Sequence, residues 1–181
     1  MTVFDLWKPI LATGIATHIY STLAWTALPH HKPDWTKAPI EDQLQNLIVD
    51  QKVPAGQYMF PFAEGGKDAA TEEFKQKQAR CRGMLVTWAE PLSMGKSILQ
   101  TLLWFFAAAF TIGYLASLGL APGVGNGQVL QFVGTAGLLT HVAAHYPRVF
   151  WFRRKMAMEV LDGVLQAAVT AAIFTALWPS Q

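Results

Sequence analysis

Four apolar stretches and one long polar stretch set the pattern of this chain. Residues 9–28 carry no formal charge, and at a helical rise of about 1.5 Å per residue they are long enough to cross a hydrocarbon core of about 30 Å. Residues 97–120, 128–146 and 156–178 read the same way, so four membrane helices are expected. A secretory signal at 9–28 is disfavoured, because its apolar core would run only about 7–15 residues and Trp25-Thr26-Ala27 is a poor small-residue cleavage site. In the first span Gly14, His18, Ser21 and Trp25 share a helical face. In the fourth, Gly163, Ala167, Ala171 and Thr175 recur every four residues, a small-residue face that lets helix backbones approach closely. That face predicts packing against another span or a second copy of the chain.

The polar stretch has its own periodicities. Ile40, Leu44, Leu47 and Ile48 form one stripe behind Pro39, with Glu41 and Asp42 in the first turn, which predicts an amphipathic helix over 39–51. Residues 58–62 and 84–89 favour strands that pair as a two-stranded ribbon, and Asp68 or Thr71 caps a helix running to about Arg82. The expected fold is an all-α membrane protein, a four-transmembrane-helix bundle with a small α+β extramembrane insertion between helices 1 and 2. Its divisions are 1–28 for the N-terminal tail and first helix, 29–96 for the insertion and 97–181 for helices 2–4.

Composition agrees with the patterning: 52% of residues are hydrophobic and 14% charged, too apolar for an ordinary soluble domain. Nine of the fourteen Lys and Arg lie between Lys32 and Lys96 and four more between Arg148 and Lys155. The positive-inside rule then puts the charged insertion on the cytoplasmic side of the membrane, with both termini outside. A net charge of +2 with mixed signs argues against nucleic acid as a partner. The single cysteine, Cys81, excludes an intrachain disulfide framework.

Candidate chemistry concentrates in residues 140–166, where one apolar segment folds back on the next. Reflection about a turn near Trp151 and Phe152 brings His145 level with Glu159 and His141 level with Asp162. Two imidazoles facing two carboxylates suit zinc, iron or manganese. His18 with His141 or His145 would instead supply the axial pair of a haem. Alternatively these groups pair with one another and with Arg148, Arg153 and Arg154 to hold the hairpin shut, or line a proton or substrate path. His30 and His31 are adjacent, and adjacent side chains on a helix or strand diverge, so they read as a solvated or headgroup-facing pair. Gly95-Lys96-Ser97 matches the tail of a phosphate loop, but the pattern requires glycine where Glu90 stands.

The runs LPHHKPDW (28–35) and QYMFPF (57–62), with Asp162-Gly163 in the last span, resemble a group of small bacterial integral membrane proteins with four transmembrane helices. The resemblance implies a bacterial cytoplasmic membrane and carries over no catalytic or binding residue. With no nucleotide loop, no nucleophile motif and fewer histidines than membrane di-iron oxygenases use, the expected function is non-enzymatic. It is that of an accessory or scaffold subunit, with the lipid bilayer and a protein partner or a second copy as its neighbours, the latter through Gly163, Ala167 and Ala171. The alternatives are a metal- or haem-binding redox protein and a small transporter.

Overall fold

The computed structural model describes residues 1–143, 146–153 and 155–180. In chain order the helices are α1 (Trp7–Thr26), α2 (Glu41–Asp50), α3 (Gly66–Ala69), α4 (Glu72–Arg80), α5 (Met94–Gly119), α6 (Asn126–His141), α7 (Tyr146–Phe152) and α8 (Ala157–Ala176). Two strands, β1 (Gly56–Phe60) and β2 (Gly83–Thr87), and two 3-10 segments, Val3–Leu6 and Pro29–Asp34, complete the described elements. The chain divides into two compact units, one of Met1–Thr36 with Met94–Gln181 and one of Lys37–Ser93.

In the first unit α1 lies against α5 and α8, and α6 lies against α8 and α5. Small residues make this packing close. A Cβ added at Gly163 would stand 2.6 Å from the His141 carbonyl oxygen, and one at Gly137 would stand 3.0 Å from the Cα of Ala167. Ala171 faces Gly134. The small-residue face of α8 thus meets α6 of the same chain. One end of the unit is packed by Leu6, Ile112, Val129, Val133 and Phe174. There Trp178 Nε1 donates to the Ala121 carbonyl at 3.2 Å, and the Gly123 N–H donates to the Pro179 carbonyl at 3.0 Å. Gly123 turns at φ 71°, a left-handed conformation that suits glycine.

The interior of this unit also holds small polar side chains, and its outside is strongly apolar. Thr13, Thr17 and Thr170 are buried, and Thr17 and Thr170 return their hydroxyls to carbonyls four residues back. Meanwhile Leu11, Ile15, Ile19 and Leu23 line the outside of α1, and Leu99, Leu103, Phe110 and Leu118 that of α5. Among the described residues two helices, α5 and α8, are long and apolar enough to cross a membrane. The sequence pattern led us to expect four of equal standing. The difference is clearest at α6, whose 16 residues rise only about 24 Å, and which ends at His141 rather than at 146. Pro147 explains why no single helix runs on: it lacks an N–H, and in a helix interior its ring would collide with the carbonyl four residues back. It sits instead in the first turn of α7, so the expected tight basic turn contains a short helix of its own.

The second unit is built from α2, the β1–β2 ribbon, α3 and α4. The strands pair antiparallel from Gly56 opposite Thr87 to Phe60 opposite Gly83, close to the ribbon expected from the sequence. Thr71 caps α4, its Oγ1 accepting from the Phe74 N–H at 3.2 Å. No side chain between residues 37 and 93 is buried, and a two-stranded ribbon without a packed face is marginal in water.

Candidate functional site

The site forms where α1 ends. Tyr20 and Trp25 lie on its last turns, the chain extends through Leu28, and Pro29 opens the 3-10 segment Pro29–Asp34. A 3-10 helix has about three residues per turn, so positions three apart stack one above the other. His31 and Asp34 stand in this relation, with His31 Nδ1 2.7 Å from Asp34 Oδ2. The indole of Trp25 stacks on the His31 ring with centroids 3.8 Å apart and planes within 7°. Imidazole position and tilt are thus fixed from two sides. This segment, polar enough to be assigned to the insertion, belongs to the helical unit, because its histidines reach into that unit.

What they reach is Asp162 on α8, a carboxylate only 6% exposed. His30 Nε2 lies 3.0 Å from Asp162 Oδ1 and His31 Nε2 lies 2.8 Å from Oδ2. The Tyr20 hydroxyl donates to Oδ1 at 2.8 Å. A buried carboxylate costs several kcal/mol unless its lone pairs are occupied; here three groups from α1 and its extension occupy them. Lys155, just before α8, donates its Nζ to the Pro33 carbonyl and ties the same two segments again. For His31, burial disfavours the charged ring, but hydrogen bonds to Asp162 and Asp34 outweigh it and hold the pKa above the ordinary 6.5. Beside His31 lies a cleft of about 280 Å³ lined by Trp25, Leu28, His31, Lys32 and Trp35.

Asp162 is at the centre, yet the imidazoles that meet it come from His30 and His31, the pair read as solvent- or headgroup-facing; that reading is corrected. Among the described residues the one group of three metal-type ligands is His30, His31 and Asp162, with donor atoms all within 4.8 Å of one another. His141 is buried at the end of α6 and Glu159 lies in the first turn of α8; neither belongs to that group. His145 and Arg154 lie outside the described residues. His18 and His141 each place their ring centroid 6.2 Å from that of the buried Phe105. The expected axial pair thus shares an aromatic neighbour, and His18 Nδ1 is buried with no hydrogen-bond partner among the described residues.

Sequence reasoning missed His30, His31, Tyr20 and Asp34 as a set. Two signals pointed to them: the spacing of His31 and Asp34 behind a proline, and the need of a carboxylate inside an apolar helix for partners. Comparison with known protein families, with curated proteins and with solved structures finds no match to this chain.

Proposed function

We propose that the chain is a multi-pass protein of a bacterial inner membrane in which α1, α5, α6 and α8 form a four-helix membrane bundle, acting as an accessory or scaffold subunit of a membrane complex. The observation that carries this reading is the outward display of large apolar side chains along α1 and α5, with glycine, alanine and threonine at the close contacts between helices. Lipid is as apolar as leucine, so helices in a bilayer gain by close backbone packing rather than by hiding apolar side chains. The short α6 fits a locally thinned bilayer, at a cost of fractions of a kcal/mol per Å of mismatch. Trp151, 83% exposed on α7, suits the headgroup layer.

The scaffold reading draws on the second unit. Leu47, Val49, Phe62 and Trp88 are all well exposed on a unit with no buried side chain of its own, and covering them against a protein partner or the membrane surface is what such a unit lacks for stability. The insertion is proposed to be cytoplasmic.

Sided cysteine labelling tests the topology. Cys81 is exposed and is the sole cysteine, and a Gly125→Cys change in a Cys81→Ser background is well tolerated sterically, since nothing lies within 4 Å of a Cβ there. Four spans require the two sites to label from opposite faces of the membrane; labelling from one face removes the fourfold crossing. For the subunit reading, purification in mild detergent yields a stable higher-order species. A monomer that turns over a substrate defeats it.

A further inference from the structure

We propose that His30, His31 and Asp162 bind a divalent first-row transition-metal cation, with Asp34, Tyr20 and Trp25 as its positioning residues. This inference goes beyond the membrane reading, since it depends only on the geometry at the end of α1.

Three observations carry it. The first is convergence from distant parts of the chain. One carboxylate presents one oxygen to each of two imidazole Nε2 atoms, at 3.0 and 2.8 Å, across sequence separations of 132 and 131. Donors about 2.0–2.2 Å from a tetrahedral ion stand about 3.3 Å from one another. The pairs therefore need to open by only a few tenths of an ångström to admit one.

The second is the outer shell. Histidine ligands of metals characteristically hand their other ring nitrogen to a carboxylate, which fixes the tautomer and turns the free nitrogen inward. Asp34 takes this part for His31 at 2.7 Å. Tyr20 holds one oxygen of Asp162, and Trp25 holds the plane of the His31 ring.

The third is the count of hydrogens and charges. In its protonated form His31 donates from both ring nitrogens, to Asp34 and to Asp162; when it is neutral and its Nδ1–H is given to Asp34, its Nε2 lone pair faces Asp162 Oδ2, two acceptors face to face. A cation between them converts this contact into two bonds. With neutral imidazoles the two carboxylates carry a charge of −2, which one divalent ion balances. Two nitrogens and one carboxylate oxygen suit zinc, ferrous iron, cobalt or manganese, whereas magnesium and calcium prefer all-oxygen sites. Three protein donors leave a coordination position for water or a further ligand.

The test uses the full-length, tag-free protein in detergent, stripped with chelator and dialysed, then titrated separately with zinc, cobalt(II), iron(II) and manganese(II) under anaerobic conditions. Expected is one equivalent of at least one of these ions per chain by elemental analysis, a rise in Tm on binding, and for cobalt a visible d–d spectrum of mixed nitrogen and oxygen ligation. His30→Ala and His31→Ala lose stoichiometric binding. Asp34→Asn, which leaves all three ligands in place, weakens it about 10–100-fold, and His141→Ala leaves it unchanged. Circular dichroism and gel filtration identify variants that fail to fold. His30→Ala is the decisive variant should the others do so, because the His30 side chain is the more exposed of the two, 20% against 5%. A folded wild-type protein that takes up none of the four ions overturns the proposal. So does uptake that survives His30→Ala, or that is abolished by His141→Ala.

Discussion

Tyr20 and Asp162 are 142 residues apart in sequence and 2.8 Å apart in space, and their hydrogen bond joins the last turns of α1 to the first turns of α8. Asp162 accepts from Tyr20 on the same oxygen that faces His30, while its other oxygen faces His31. A single carboxylate therefore fastens the start of the chain to its end.

Removing that carboxylate should be the most damaging single change in the helical unit. Asp162→Ala strands two imidazoles and a phenol, and breaking a buried charged set in this way costs about 3–5 kcal/mol. Tyr20→Phe removes one donor of three and costs about 1–2 kcal/mol. In a double-mutant cycle followed by thermal unfolding in detergent, Tyr20→Phe should cost almost nothing once Asp162 is alanine, since the two groups share one contact. Additive losses would mean that the hydrogen bond does not form.

Two glycines on the α6–α8 interface should respond in opposite ways to the same substitution. A Cβ at Gly163 meets a backbone carbonyl at 2.6 Å, whereas one at Gly134 meets only the Ala171 methyl at 3.6 Å. Gly163→Ala must push α8 away from α6, a strain of about 1–3 kcal/mol. Gly134→Ala makes an ordinary contact and gains helix propensity, up to about 1 kcal/mol. Melting temperatures of the two variants check the ordering; equal values would deny the close approach at Gly163.

The chelated protein should lose stability as the solution becomes alkaline. His31 has a folded-state pKa above the ordinary 6.5, so the folded chain holds that proton more tightly than the unfolded one. Its contribution is complete below 6.5 and is lost as the pH rises through the raised value. The Tm of metal-free protein should fall over that range, and His31→Asn should flatten the dependence. A Tm that climbs with pH there would give the wrong sign.

Periodicity made most of the architecture legible. The amphipathic stripe behind Pro39, the Thr71 cap, the β1–β2 ribbon and the apolar lengths of α5 and α8 are local properties, and local sequence specifies them. The site was legible only in its carboxylate. Asp162 stands out because an ionised group in an apolar helix needs partners, but which partners it finds depends on tertiary structure. Reflection across a simple hairpin placed His141 level with Asp162, and the His141 carbonyl does lie against Gly163, but the imidazoles bonded to the carboxylate come from the end of α1. The rule that adjacent side chains diverge holds for regular helices and strands; His30 and His31 escape it in a short 3-10 turn, with ring centroids 4.4 Å apart and planes at 42°, so both can approach one acceptor.

The separation of 131 residues between His31 and Asp162 also sets a timetable. A ribosome adds about 5–20 residues each second, so the imidazole pair emerges roughly 7–26 s before the aspartate that meets it. Throughout that interval the first helix carries Tyr20, His30 and His31 without their acid. The bundle cannot be latched by its first helix alone; it waits until α8 has been made, and a chain cut short before α8 displays two histidines beside Trp25 as the mark of its own incompleteness.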